Sequence, residues 1–154
     1  MSTIQRVLHR AGLTQAAEPA GHTYRPHPPA DYPNAVQATA SVTRWLTGGE
    51  VVQTFTTVDH VTNAADASPQ TNKRAATVRQ HLLKTWQKLG LPDLTQFDNE
   101  SACSGSRHPH RLGSIVRRCL YVGSQVLFTP EYEADYNWVD ETFNNFWAHQ
   151  FWER

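Results

Sequence analysis

Two runs rich in β-branched residues, "VQATASVTRWL" from Val36 and "EVVQTFTTVDHVT" from Glu50, flank the glycine pair Gly48-Gly49. Such side chains favour pleated backbone, and glycine supplies the left-handed conformation that a tight reversal needs. The pattern predicts a hairpin turning at "TGG", with a further strand around Val61 to Ala67. The stretch "ASPQTNKRAATVRQHLLKTWQKLG" then changes period, placing Ala75, Val78, Leu82, Trp86 and Leu89 on one face of a helix that stops at Gly90 and Pro92. Strands followed by an amphipathic helix restrict the chain to a mixed α/β domain.

The later sequence continues the mixture. "PDLTQFDN" reads as a short strand closed by Asp98-Asn99, and the loop "ESACSGSRHPH" leads to a helix over about Arg111 to Tyr121 with Leu112, Ile115, Val116, Cys119 and Leu120 apolar. "SQVLFT" is another strand, ended by Pro130. The segment "NWVDETFNNFWAHQFWER" reads as a helix with Val139, Phe143, Phe146 or Trp147, and Phe151 inward. Trp86, Trp138, Trp147 and Trp152 are expected in the core with Phe143, Phe146 and Phe151. An exposed Phe151-Trp152 pair would mark a contact with another segment or subunit.

Upstream, Ile4, Val7, Leu8 and Ala11 recur at helical spacing before Gly12. Residues 14–33 carry five of the nine prolines, a composition that disfavours helix and ladder pairing and reads as a linker or extended arm. The expected organisation is therefore a short helix over 1–13, a Pro-rich linker over 14–33, and a folded core over 34–154.

Charge excludes a global basic field: 14 Lys and Arg balance 14 Asp and Glu, so contact with nucleic acid must come from local patches. Two cysteines, Cys103 and Cys119, are too few for a disulfide framework and point to a reducing compartment, with the cytoplasm as the default. No signal peptide or membrane-length apolar run is present, and no membrane partner is expected. His108, His110 and Cys103 lack the second ligand pair that a structural zinc site requires.

Two carboxylates hold most of the chemical interest. Asp98 is either the residue that starts a turn or one arm of a metal site. Glu141, on the polar side of its helix with Asn137, Asn145 and Ala148, is either solvated or a second arm. Spacing alone favours the bland reading of both.

The two motifs together resemble those of retroviral-integrase-like (DDE-type) insertion-sequence transposases. "LGLPDLTQFDNESACSG" is similar to the family's strand ending in "D-N" after a "G-x-P" turn, and "NWVDETFN" to its helical "N-x-x-x-E-x-x-N", with Asn137, Glu141 and Asn144 at the matching offsets. The resemblance covers about Asn34 to Arg154. It implies a ribonuclease H-like α/β fold, a five-stranded mixed sheet flanked by helices. It also implies DNA cleavage and strand transfer in DNA integration or transposition, with carboxylates holding magnesium or manganese. Asp98 and Glu141 are the implied catalytic and metal-binding residues. The implied partners are transposon-end and target DNA, a second copy in a homodimer, and a full-length transposase. "STIQRVLHRAGL" is similar to the last helix of the family's helix-turn-helix domain, with Gln5, Arg6, His9 and Arg10 exposed toward DNA. Lys73, Arg74, Arg107 and Arg111 are further expected phosphate contacts.

The first family carboxylate should lie on the first strand, where this chain has "NAVQATASVTRWLTGG". The matching position is Ala40, or Thr39 if the register is one shorter, and neither side chain ionises. Asp59, at the end of the second strand, is a candidate replacement ligand, although the family has a non-catalytic aspartate beside a turn there. With two carboxylates, the expectation is at most one weakly bound ion and impaired turnover. The end at Arg154, soon after the helix of Glu141, adds the expectation of a truncated or degenerate domain. The alternative is a non-catalytic remnant that binds DNA or assembles with an intact transposase.

Overall fold

The computed structural model describes residues 27–98, 113–129, 136 and 138–152. Among these residues, β1 (Val36–Trp45), β2 (Val51–Asp59) and β3 (Ala65–Gln70) precede α1 (Ala75–Leu89). Strand β4 (Leu94–Phe97), α2 (Ser114–Tyr121), β5 (Gln125–Phe128) and α3 (Trp138–Phe151) follow. The five strands form one sheet in the order β3-β2-β1-β4-β5. The β1/β2 and β2/β3 pairs are antiparallel, and the β1/β4 and β4/β5 pairs are parallel.

The hairpin forms where the glycine pair predicts it. Gly48 and Gly49 take φ of 109° and 88°, and Leu46 and Glu50 close the turn with a 2.8 Å backbone bond. Strand β3 begins later than expected because the chain first turns about Asp59, with Asn63 in the left-handed region at φ 56°. Pro69 is tolerated in β3 because this strand is at the sheet edge, where a missing donor breaks no ladder.

Helix α1 begins after Asn72, whose side-chain oxygen accepts the Arg74 N–H at 3.0 Å and the Thr77 hydroxyl at 2.7 Å. It ends at Gly90, where φ is 102° and an added Cβ would lie 2.6 Å from the Asn34 side chain. Any larger residue there would break two constraints at once. Gln37 fastens the start of β1 to this point, donating to Asn34 Oδ1 at 2.7 Å and to the Gly90 carbonyl at 3.1 Å.

The main core lies between the sheet and the α1/α2 pair: Phe55 and Phe97 meet Val78, Leu82, Trp86, Ile115 and Cys119. Leu120, expected inward, is half exposed. Helix α3 covers the opposite face of β1 and β2. Its inward stripe differs from the expected one. Val139, Asp140 and Ala148 are buried, with Phe143, Asn144 and Trp147 half-buried, while Trp138, Phe146 and Phe151 are exposed. Ala148 thus does not share the solvent side of Glu141. The rings of Phe143, Trp147 and Phe151 stack along the helix, and Trp152 meets Phe151 edge-on. The exposed Phe151 meets the expectation for a contact surface only in part, because Trp152 is half-buried.

The last part of the Pro-rich stretch lies on the core. His27 stacks on Tyr136 with ring centroids 4.2 Å apart, and Tyr32 donates its hydroxyl to Asp93. The expected N-terminal helix over 1–13 lies outside the described residues.

Candidate active site

The position of Asp98 follows from the parallel pairing of β1 and β4. Thr39 is in register with Phe97, the last residue of β4, and the Asp98 N–H points to the Thr39 carbonyl at 3.5 Å. Phe97 is in the α1/α2 core, so strand alternation turns Asp98 to the α3 face. Asp98 is exposed there.

Helix α3 is laid across this face by polar contacts. At its start the Tyr136 carbonyl accepts from Gln96 Nε2 on β4 at 2.7 Å, and two turns later Asn144 Oδ1 accepts from the Thr56 hydroxyl on β2 at 2.9 Å. Glu141 falls in the first turn and is exposed. Its neighbour Asp140 is only 3% exposed, and its Oδ1 has no hydrogen-bond partner among the described residues. Burial, reinforced by the negative charges of Asp98 and then Glu141, pushes the Asp140 carboxyl up to about 8. Asp98, Asp140 and Glu141 therefore occupy one electrostatic neighbourhood.

Geometry also separates the two positions considered for the missing acid. The Thr39 hydroxyl is hydrogen-bonded to that of Thr57 at 2.8 Å, and Thr57 is bonded to His81 of α1 at 2.9 Å, so Thr39 faces the α1 side. Ala40 faces α3, beside Thr56 in the β1/β2 register and one step beyond the Thr39/Phe97 pair. Ala40 is thus on the same face as Asp98.

Asp59 is placed differently. Its register partner on β1 is Gln37, well back along the strand from Ala40. Its Oδ2 accepts the Asn34 N–H at 2.7 Å, while its Oδ1 accepts the N–H groups of Val61 and Thr62 and the Thr62 hydroxyl. Burial raises its pKa, but these bonds outweigh that effect and hold the carboxyl below its usual range. Asp59 organises the β2/β3 turn and is not brought to Asp98 and Glu141.

The donor set suits a hard divalent cation in kind, since carboxylate oxygens are what magnesium and manganese take. It falls short in number. Position 40 contributes no oxygen, and among the described residues no three Asp, Glu, His or Cys side chains already stand together as a metal-holding group. Asp98 and Glu141 offer carboxylate oxygens of the right kind, but not the number that a bridged pair of ions requires.

Of the expected DNA contacts, Lys73 and Arg74 precede α1, just after β3 leaves the end of the sheet toward which β1 also runs. Arg6, Arg10, Arg107 and Arg111 lie outside the described residues, as do Asn137, Cys103, His108 and His110. Arg79, Arg117 and Arg118 line an open groove of about 400 Å³ on the α1/α2 side, away from the carboxylates. No helix among the described residues is long and apolar enough to cross a membrane.

No family model matches the sequence, and a search of the curated proteins finds no match. Solved structures do match. The simian T-cell lymphotropic virus intasome in complex with PP2A regulatory subunit B56 gamma aligns with a TM-score of 0.65 at 15% identity, over 79% of this chain and 42% of that chain. The HTLV-2 integrase catalytic core domain in complex with magnesium, in its dimeric form, gives 0.60 at 14% identity over 80% and 78% of the two chains. The catalytic core domain of BIV integrase gives 0.56 at 16% identity over 73% and 65%. This chain spans less than half of the matched intasome chain and about two thirds of the BIV core. At these identities the likeness establishes the fold: a five-stranded mixed sheet with helices, the ribonuclease H-like architecture of integrase catalytic cores.

Proposed function

We propose that this chain is an integrase- or transposase-type catalytic core for DNA cleavage and strand transfer, impaired by the loss of its β1 carboxylate. The observation that carries the reading is the placement of Asp98 at the end of β4 and Glu141 in the first turn of α3, with Ala40 between β4 and β2 on the face α3 covers. The fold match supports reading these carboxylates as more than surface acids. The HTLV-2 cores were solved with magnesium, and the same ion, or manganese, is the cofactor proposed here.

Asp98 and Glu141 are the residues that would hold the ion. Bound there, a divalent cation would polarise a phosphodiester oxygen and favour deprotonation of an attacking water. The chain's own contribution is positioning. The parallel β1/β4 pairing fixes Asp98, while the Gln96–Tyr136 and Thr56–Asn144 bonds fix the start and middle of the helix bearing Glu141. Lys73 and Arg74 would steady the DNA backbone, and a second copy of this chain or a full-length transposase are its proposed protein partners.

A second reading, a non-catalytic DNA-binding or transposase-interacting remnant, is favoured by the methyl group at Ala40. Nicking of supercoiled DNA in magnesium or manganese separates the two. Ala40→Asp should gain nicking over the parent chain, and Thr39→Asp should not. If Ala40→Asp binds DNA but leaves it intact, the remnant reading replaces the catalytic one.

A further inference from the structure

We propose that the groove between α1 and α2 is a second DNA-binding surface, in which Arg79, Arg117 and Arg118 take backbone phosphates on the face of the sheet opposite the carboxylates. The inference rests on the reading of the chain as one that handles DNA. It adds a surface that the sequence motifs do not assign and that needs no metal.

Packing fixes the three arginines on one side of the molecule. Val78, beside Arg79, and Val116 and Cys119, beside Arg117 and Arg118, are buried, and α1 and α2 meet over the core. The arginines themselves are exposed, and with Ser114 and Tyr121 they line one groove of about 400 Å³. Two helices anchored in the core, rather than a loop, thus hold three guanidinium groups about one space. Helix α3 covers the other face of the sheet, to which Asp98 turns, so a contact in this groove is separate from any at Asp98 and Glu141.

Charge supplies an independent observation. Neither α1 nor α2 contains an Asp or a Glu. Lys88 of α1 is paired with Asp66 of β3, but among the described residues no carboxylate meets Arg79, Arg117 or Arg118. In a chain whose formal net charge is zero, the groove therefore concentrates uncompensated positive charge. A cleft lined by one sign of charge focuses its field and gathers counter-ions. Guanidinium forks match phosphate oxygens in shape, and serine and tyrosine hydroxyls are donors of the kind that also go to DNA phosphates. No aliphatic side chain lines the groove. It offers charge and hydrogen bonds rather than an apolar centre, which suits a phosphate backbone better than a protein segment.

Binding of a fluorescently labelled DNA duplex to the full chain tests this. Anisotropy is read across a potassium chloride series with EDTA present, so that no divalent ion takes part. Arg118→Gln should make the plot of log affinity against log salt shallower by about 1, and the variant combining Arg79→Gln, Arg117→Gln and Arg118→Gln by about 2–3. The triple variant should also bind about tenfold or more weakly at low salt. Lys88→Gln, whose charge Asp66 already answers, should leave the slope unchanged. The three arginine positions are exposed, so the variants should fold, as circular dichroism checks. A parent-like slope and affinity in the triple variant, while the parent binds DNA, overturns the role of the groove and leaves the catalytic-core reading standing. A triple variant that alters the sedimentation of the free chain but not its DNA affinity assigns the groove to a protein contact and overturns the inference equally. If the parent chain binds no duplex, the inference fails together with the DNA reading on which it rests.

Discussion

Thr56 on β2 donates its hydroxyl to Asn144 on α3 at 2.9 Å, a contact between residues 88 positions apart. It joins the helix carrying Asp140 and Glu141 to the sheet through a buried donor: Thr56 is fully buried. Asn144→Ala leaves that hydroxyl without its partner and should cost about 1–3 kcal/mol. Thr56→Val, which removes the donor and leaves half-buried Asn144 within reach of water, should cost about 1 kcal/mol. Urea unfolding of the two variants checks the order, and parent-like stability in both would show that the bond is not what holds α3.

Thr39 and Ala40 are adjacent in sequence but face opposite layers. Thr39→Asp would introduce a carboxylate beside the Thr57 hydroxyl in the interior of the α1 side, a change expected to cost several kcal/mol or to prevent folding, on the order of 3 or more. Ala40→Asp should fold, lose stability through repulsion from Asp98 and Asp140, and recover part of it when magnesium is added. Thermal unfolding with and without magnesium measures both. A stable Thr39→Asp chain would overturn the assignment of faces.

His81 gives the fold an acid limit. Its ring is bonded to Thr57 at 2.9 Å and Ser68 at 2.6 Å, and burial, partly offset by Asp66, lowers its pKa to about 4. The unfolded ring titrates near 6.5. Between about pH 6.5 and 4 the unfolded chain therefore binds a proton that the native state refuses, and stability falls as pH falls. The contribution is complete above pH 6.5, and about 2–3 kcal/mol should be lost by pH 4. His81→Gln should flatten that slope, as urea midpoints across this range would reveal.

Asp59 makes a prediction of separation. Asp59→Ala removes acceptors for three backbone N–H groups and one hydroxyl and should destabilise the chain by about 2–3 kcal/mol. Manganese affinity of the folded fraction should be unchanged. A selective loss of metal binding with normal stability would restore Asp59 as a ligand.

The hairpin, the α1 face through Val78, Leu82 and Trp86, and the short strand before Asp98 are legible in the sequence because apolar periodicity and glycine placement report directly on them. Strand β3 is displaced from the expected Val61–Ala67 because the turn depends on an aspartate accepting from its neighbours, which hydropathy does not register. Helix α3 departs for a related reason. Its inward stripe contains Asp140 and Asn144, so a pattern search for apolar side chains selects Phe146 and Phe151, which solvent reaches. For the proposed site, the motifs single out Asp98 and Glu141 as candidates, but choosing between Thr39 and Ala40 requires the pairing register. The burial of Asp140 has no signal in the sequence beyond its place beside Glu141.

The proline that closes the third strand also bears on assembly. Pro69, in register with Thr54, has no backbone N–H to offer outward, so a second chain approaching the β3 edge meets an interrupted row of donors. Continuous strand-to-strand growth is blocked on that side. Among the described residues, the helical surfaces and the β5 edge are then the ones left to join two copies, and disulfide pairs engineered across those surfaces, rather than across β3, are the ones expected to trap a dimer.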